Sequence, residues 1–306
     1  MTVIKPLTLS LFSLLISLGV GFAQTGAGGA TGLAFLKLGV GARASALGEA
    51  YTAIANDATA TFWNPAGLAG LQHAQLAFTH TEWVQDISNE FLAFVFPAFR
   101  GVFGLSVNVN TVGGIERRVN PSEEPLGTVE ANDVALGFSY GRSLNSSLKV
   151  GLTAKYVYEK IFIDRAAGFA VDFGAQFQPF AVPLKFGVSA QNFGSMGKLR
   201  AQSIELPRTL RAGVSYFFGL ESFGGGLLLA ADGVKVFEND VRGNLGAELL
   251  LKDLLAFRFG YQTGLDGRQI AGGFGLHVKR YHLDYGYTPF SSNLGDTHRF
   301  SFSLDL

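Results

Sequence analysis

Three groups of residues have the types and spacing for chemistry. Gly39-Val40-Gly41-Ala42-Arg43-Ala44 follows a strand-like Phe35 to Leu38 and precedes a helix-like stretch, with Asp57 downstream, which is the outline of a dinucleotide loop. Such a loop holds a pyrophosphate only where its helix crosses over to a parallel strand. Here turn residues and then an antiparallel-type meander follow, so the glycines read as close-packing positions. His282, Asp284 and His298 fall where a lumen or loop is expected, and by residue type alone they would allow a Ser/His/Asp hydrolase. No Ser stands in a nucleophile-elbow context, and His73, His80, His277, His282 and His298 include no pair at the i, i+4 spacing of a helical zinc site. The third group is Lys149, Lys155, Asp172, Lys185, Arg258 and Asp284, expected to point inward and either select a solute or pair across the interior. The prediction is no catalytic residue, no metal site and no cofactor.

The elements that carry these residues follow from composition and period. Forty Gly and 28 Phe beside no Cys favour aromatics packed on a sheet surface and rule out disulfides and thiolate chemistry. Lys plus Arg equals Asp plus Glu at 24 each, so no net field attracts nucleic acid. Lys5, an apolar run from Leu7 to Val20 and Gly21-Phe22-Ala23 before Gln24 predict a signal peptide over 1–23, since the run falls short of the roughly 20 residues a spanning helix needs.

Residues 24–72 form a second unit, a plug. Thr25 to Gly32 is a flexible lead, Ala42 to Ala55 is the one helix expected, and Asn64-Pro65-Ala66-Gly67 is a turn. Over 73–306 the period changes to two. Leu255, Phe257, Phe259 and Tyr261 alternate with Ala256, Arg258, Gly260 and Gln262, which puts a greasy face outward and a polar face inward. Such runs number about fourteen, near the length of a tilted spanning strand. The longer connections (Val112 to Glu130, Phe193 to Leu206, Thr288 to Asp296) all join an odd strand to an even one, and the others are mostly tight. This predicts an all-β transmembrane antiparallel barrel of about fourteen strands with an amino-terminal plug inside it, in the outer membrane and in contact with its lipid. Trp83, Tyr140, Tyr158, Tyr216, Tyr261, Tyr281 and Tyr287 are expected in interfacial girdles. Gly and Ala on the inner face are expected to leave room for a passage.

Phe35-Leu36-Lys37-Leu38-Gly39-Val40-Gly41-Ala42-Arg43-Ala44, Leu47-Gly48-Glu49-Ala50-Tyr51-Thr52-Ala53, Asn56-Asp57-Ala58 and Trp63-Asn64-Pro65-Ala66-Gly67-Leu68 resemble the amino-terminal signature of PorV/PorQ-type outer-membrane proteins, themselves similar to the FadL family. Leu294 to Ser301 is similar to the group's last strand. The resemblance implies a fourteen-stranded barrel with an internal hatch, whose structural residues here are Gly39, Gly41, Arg43, Gly48, Asp57, Asn64, Pro65 and Gly67. Lys155, Asp172, Arg258, His282 and Asp284 remain the candidates for the lumen. The function implied is non-enzymatic, an outer-membrane part in protein export through type IX secretion, with secretion-system proteins as partners. The alternative is FadL-like transport of hydrophobic compounds, with an apolar small molecule displacing the hatch and leaving through the lumen or the wall. Glu116, Arg117, Arg118, Glu123 and Glu124 make the Val112–Glu130 loop the one expected to meet a protein partner.

Overall fold

The computed structural model describes residues 32–118, 124–179, 182–200, 202–220, 224–237, 241–264, 267–291 and 295–306. The expected signal peptide and the flexible lead up to residue 31 lie outside these residues, as do Glu123 and Leu294. Fourteen antiparallel strands close on themselves: β1 (Gln75–Glu82), β2 (Ile87–Ala98), β3 (Gly101–Arg117), β4 (Gly127–Ser143), β5 (Leu148–Ile161), β6 (Asp164–Phe177) and β7 (Leu184–Met196) form one half. The other half is β8 (Thr209–Leu220), β9 (Gly225–Val236), β10 (Val241–Leu251), β11 (Leu255–Gln262), β12 (Ile270–Val278), β13 (Tyr281–Pro289) and β14 (Asp296–Asp305). The β1–β14 ladder, from Gln75 opposite Asp305 to Glu82 opposite His298, removes the free edges that an open sheet would leave.

The alternation is visible residue by residue. On β11, Leu255, Phe257, Phe259 and Tyr261 are exposed while Ala256, Arg258, Gly260 and Gln262 are buried. Leu105, Phe138, Phe169, Phe186 and Phe274 continue the apolar belt around the outside, as a lipid-facing surface requires. No helix among the described residues is long and apolar enough to cross a membrane.

The tight connections gather at the end of the barrel where β1 begins and β14 finishes, here the terminal end; the opposite one is the loop end. The Val112–Glu130 connection is shorter than expected. Gly113 and Gly114, the latter at φ 67°, form a bulge past which β3 and β4 stay paired as far as Arg117 and Gly127.

Two ladders carry such irregularities. In the β6–β7 ladder Val171 faces Phe193 but Phe173 faces Ala190, which leaves Gln191 and Asn192 together opposite Asp172. The bulge is held from the lumen side: Asn192 takes φ 63°, and its N–H donates to Asp172 Oδ1 at 2.7 Å. Lys155 Nζ reaches the same oxygen at 2.8 Å.

The plug fills the inside. Its helices are brief: 3-10 turns at Ala34–Lys37 and Pro65–Gly70, and α-helical turns α1 (Ala42–Ala46) and α2 (Ala60–Trp63). The helix expected over Ala42 to Ala55 ends after α1, because Gly48 at φ 61° and Glu49 at φ 62° turn the chain through left-handed geometry. Its apolar marks are still internal. Leu47, Tyr51 and Ile54 join Trp63 and Leu68 in a core completed by Phe91, Val95 and Val102 of the wall.

Candidate functional site

The plug meets the wall in two ways, and each begins from a residue type that a strand interior can spare. On β4, β5 and β6 the inward positions opposite the plug are glycines. A methyl group at Gly141 would stand 2.7 Å from Pro65 O, and one at Gly151 would collide with the Pro65–Ala66 peptide. A methyl at Gly174 would strike Asn64 Oδ1. Backbone therefore lies directly on backbone, an approach that any side chain would block. Asn64 secures the contact: its Nδ2 donates to Thr52 O at 2.8 Å and to Ala175 O at 3.2 Å, while its Oδ1 accepts from Ala66 N at 3.2 Å. Pro65 opens the 3-10 turn where a missing N–H costs nothing, and Gly67 packs against Ala55 O. The expected passage along the small-residue face is thus occupied, since the plug sits in the space those glycines leave.

On the other half, the contact is ionic. Arg43 forms a two-pronged pair with Glu248 of β10, Nε to Oε2 at 2.9 Å and Nη2 to Oε1 at 2.8 Å. Glu248 Oε2 also accepts from Arg258 Nε of β11 at 2.6 Å, and Arg258 Nη1 donates to Asp284 Oδ1 of β13 at 2.6 Å. The network runs back into the plug, where Tyr51 OH donates to Asp57 at 2.5 Å and the Arg43 guanidinium lies over the Tyr51 ring at 5.6 Å. Burial opposes the Arg43 charge, but Glu248, Tyr51 and Asp57 around it raise its pKa well above the ordinary value.

Toward the loop end, Glu49 enters a group of arginines. Its Oε1 lies 3.2 Å from Arg268 Nη2 and its Oε2 3.5 Å from Arg242 Nη2. Burial would raise its pKa, yet Arg268, Arg242, Arg211 and Arg299 outweigh it and hold the carboxyl at about 2. Gly48 is required beside it, because a side chain there would come within 2.8 Å of Tyr261 N. Between the two regions Asp232 of β9 accepts through Oδ2 from Tyr51 N, Thr52 N and Thr52 Oγ1, at 3.1, 2.9 and 2.6 Å.

The residues singled out in the sequence divide among these places. Gly39 lies under Trp63 and Glu49, and Gly41, at φ 87°, begins α1 beside Thr59. Arg258 and Asp284 join the Arg43 network, whereas Lys155 and Asp172 lie apart from it at the β6–β7 bulge. Lys149 and Lys185 are inward, Lys149 beside Gly70. His282 faces a polar cavity of about 450 Å³ at the terminal end, bonded to Asp305 at 3.0 Å and stacked edge-on with His277.

Two placements differ from expectation. His298 turns outward onto Tyr285 and Tyr287, because it occupies the opposite parity of β14 from Thr297 and Arg299. Trp83 is drawn to the loop-end mouth, with Arg268 and Arg299 over its ring at 5.1 and 5.3 Å, rather than into a lipid girdle. Sequence reasoning passed over Glu49 as a charge, and over Arg211, Asp232, Arg242, Glu248, Arg268 and Arg299. For the strand members the signal was available, since each is a charge at an inward position of an alternating run.

Comparison with known proteins agrees with this architecture. Residues 20–168 match the model of UPF0164, described as an uncharacterised protein family. A UPF0164 protein of Treponema pallidum (strain Nichols) is 29% identical over 181 residues, 55% of each chain. A second from the same organism is 32% identical over 122 residues, 36% of this chain and 30% of its own. The chain thus spans about half the length of the first of these curated relatives and less of the second. Among solved structures, the Ralstonia pickettii toluene transporter TbuX superposes with a TM-score of 0.64 at 15% identity over 88% of this chain and 98% of its own. The Pseudomonas putida toluene transporter TodX gives 0.63 at 10% identity over 87% and 96%, and a Pseudomonas aeruginosa FadL homologue 0.54 at 12% over 87% and 98%. This chain has the FadL-like fold, a closed fourteen-stranded antiparallel β-barrel with a helical amino-terminal segment inside.

Proposed function

We propose that this chain is a non-enzymatic outer-membrane channel for hydrophobic small molecules, with residues 24–72 as its gate and 1–23 as a signal peptide removed on export. The observation that carries the reading is the plug itself, seated wall to wall in a barrel that superposes on two toluene transporters, TbuX and TodX. That likeness favours the transport alternative over the export role that the amino-terminal motifs suggested. In support, an apolar depression of about 570 Å³ lies on β6–β9, next to the bulge at Gln191 and Asn192. A hydrophobic solute that reached the plug would find a wall irregularity and an apolar outer surface side by side. The gate role of Arg43 and Asn64 rests on their attaching the plug by polar contacts to opposite sides of the wall.

The test is to lock the gate. Ser45 Oγ of the plug and Thr288 Oγ1 of β13 are 3.5 Å apart, and the chain contains no cysteine. The double variant Ser45→Cys, Thr288→Cys should form one disulfide on oxidation. Uptake of radiolabelled toluene by cells carrying this variant in the outer membrane should fall to background when oxidised and recover on reduction. Equal uptake in both states would overturn the gate, and no uptake above control cells in either would overturn the channel.

A further inference from the structure

The loop-end arginines hold more positive charge than the plug supplies negative. Arg211, Arg242, Arg268 and Arg299 meet two carboxylates, Glu49 and Asp232, and Asp232 already spends one oxygen on three plug donors. Arg299 is 1% exposed and Arg211 3%, yet Arg299 Nε and Nη2, Arg211 Nη1 and Arg242 Nε have no hydrogen-bond partner among the described residues. Buried donors are nearly always satisfied, so several in one place are a specific signal.

The register shows what surrounds them. Thr81 stands opposite Arg299 in the β1–β14 ladder, Thr297 lies two residues before it on the same face, and both hydroxyls are buried and unpartnered. Asn244 lies two residues beyond Arg242 and opposite Gln262, whose Nε2 is also unpartnered. Ser189, opposite Arg211, has a free buried hydroxyl. Among these unpartnered atoms the guanidinium and amide N–H groups and the hydroxyls outnumber the acceptors Asp232 Oδ1 and Asn244 Oδ1, and the strand side chains next to the arginines are polar rather than greasy. A hydrocarbon would leave every one of these donors unmet. An ion with several charged oxygens would satisfy them from more than one side.

We propose that this cluster binds a small multivalent oxyanion, such as phosphate or a dicarboxylate, which takes the place of Glu49 on Arg242 and Arg268. Glu49 is the resident competitor: it reaches the arginines from a left-handed backbone position that a side-chain-bearing residue adopts only under constraint. An anion arriving from the loop end would release that constraint and the plug's attachment together. The site accepts a class of solute that the hydrocarbon path does not, and it stands whether or not that path exists.

Both tryptophans of the chain report on it, Trp63 under Arg211 at 4.8 Å and Trp83 under Arg268 and Arg299. The full chain in mild detergent is titrated with inorganic phosphate and, separately, succinate at constant ionic strength, following tryptophan fluorescence, with chloride and toluene as controls. A saturable change with phosphate, succinate or both is expected, and which of the two binds more tightly identifies the oxyanion. Glu49→Gln should tighten binding about tenfold and Arg299→Met weaken it about tenfold, the effect of one charged hydrogen bond. No saturable change, a response matched by chloride, or an affinity untouched by Glu49→Gln in a chain with an intact thermal melt would overturn the site. If Glu49→Gln fails to fold, Arg299→Met decides alone, and unchanged affinity overturns it. Toluene uptake by the Ser45–Thr288 variant is measured separately, so anion binding without uptake would remove only the channel reading.

Discussion

Against β4–β6 the plug lays the backbone of Pro65 and Ala66 on Gly141 and Gly151, while against β10–β13 it presents Arg43 to Glu248, Arg258 and Asp284. The first contact depends on shape. It has no charge to screen or titrate, and it tolerates no added atom because what it touches is main chain. The second depends on charge, and its members can exchange partners with protons, salt or a solute. On the proposed gate reading, the glycine side would be the part that stays and the ionic side the part that lets go.

The largest effect should come from breaking the ionic side at its shared member. Glu248→Gln leaves Arg43 and Arg258 without the carboxylate that joins them, and loss of one partner from a buried pair costs about 3–5 kcal/mol. Thermal melts should show the loss, and limited proteolysis should cut within residues 32–72 while the barrel stays intact. On the shape side, Gly151→Ala puts a methyl group into the Pro65–Ala66 peptide and should cost about 1–3 kcal/mol by overpacking. Salt separates the two. Raising ionic strength should lower the melts of the native chain and of Gly151→Ala by the same amount, since both keep the ion pairs, and that of Glu248→Gln by less, since its shared carboxylate is gone; a Gly151→Ala melt whose salt response differs from the native chain's would break the comparison.

The smallest effect is graded by pH. Glu49 titrates near 2 when folded against 4.5 when free, so its contribution is complete above pH 4.5 and is lost as pH falls toward 2. Proteolysis of the plug by an acid-active protease should accelerate across that window in the native chain and much less in Glu49→Gln. The same rate profile in both would remove Glu49 from the attachment.

Much of this molecule was legible as sequence. The alternation of Leu255, Phe257 and Phe259 with Ala256, Arg258 and Gly260 has a period that only a strand turns into two faces, and repeating it fourteen times with short and long connections leaves few architectures besides a closed barrel. Asn64-Pro65-Ala66-Gly67 was legible as a turn because proline and glycine act on their own dihedrals. These are local properties, set within a few residues of chain.

What the sequence left undecided is where inward residues from distant strands meet. Arg43 and Glu248 are 205 residues apart, and Glu49 and Arg268 are 219 apart, so no spacing rule connects them. The inward glycines read as open space because a missing side chain looks the same whether the gap is empty or filled by another segment. Trp83 and His298 went to unexpected faces, since at a strand end one residue of parity reverses the side. Period and turn chemistry determined the barrel and the existence of a plug; closure of the barrel around that plug decided which charges face each other, because electrostatic partnership depends on distance in space and not along the chain.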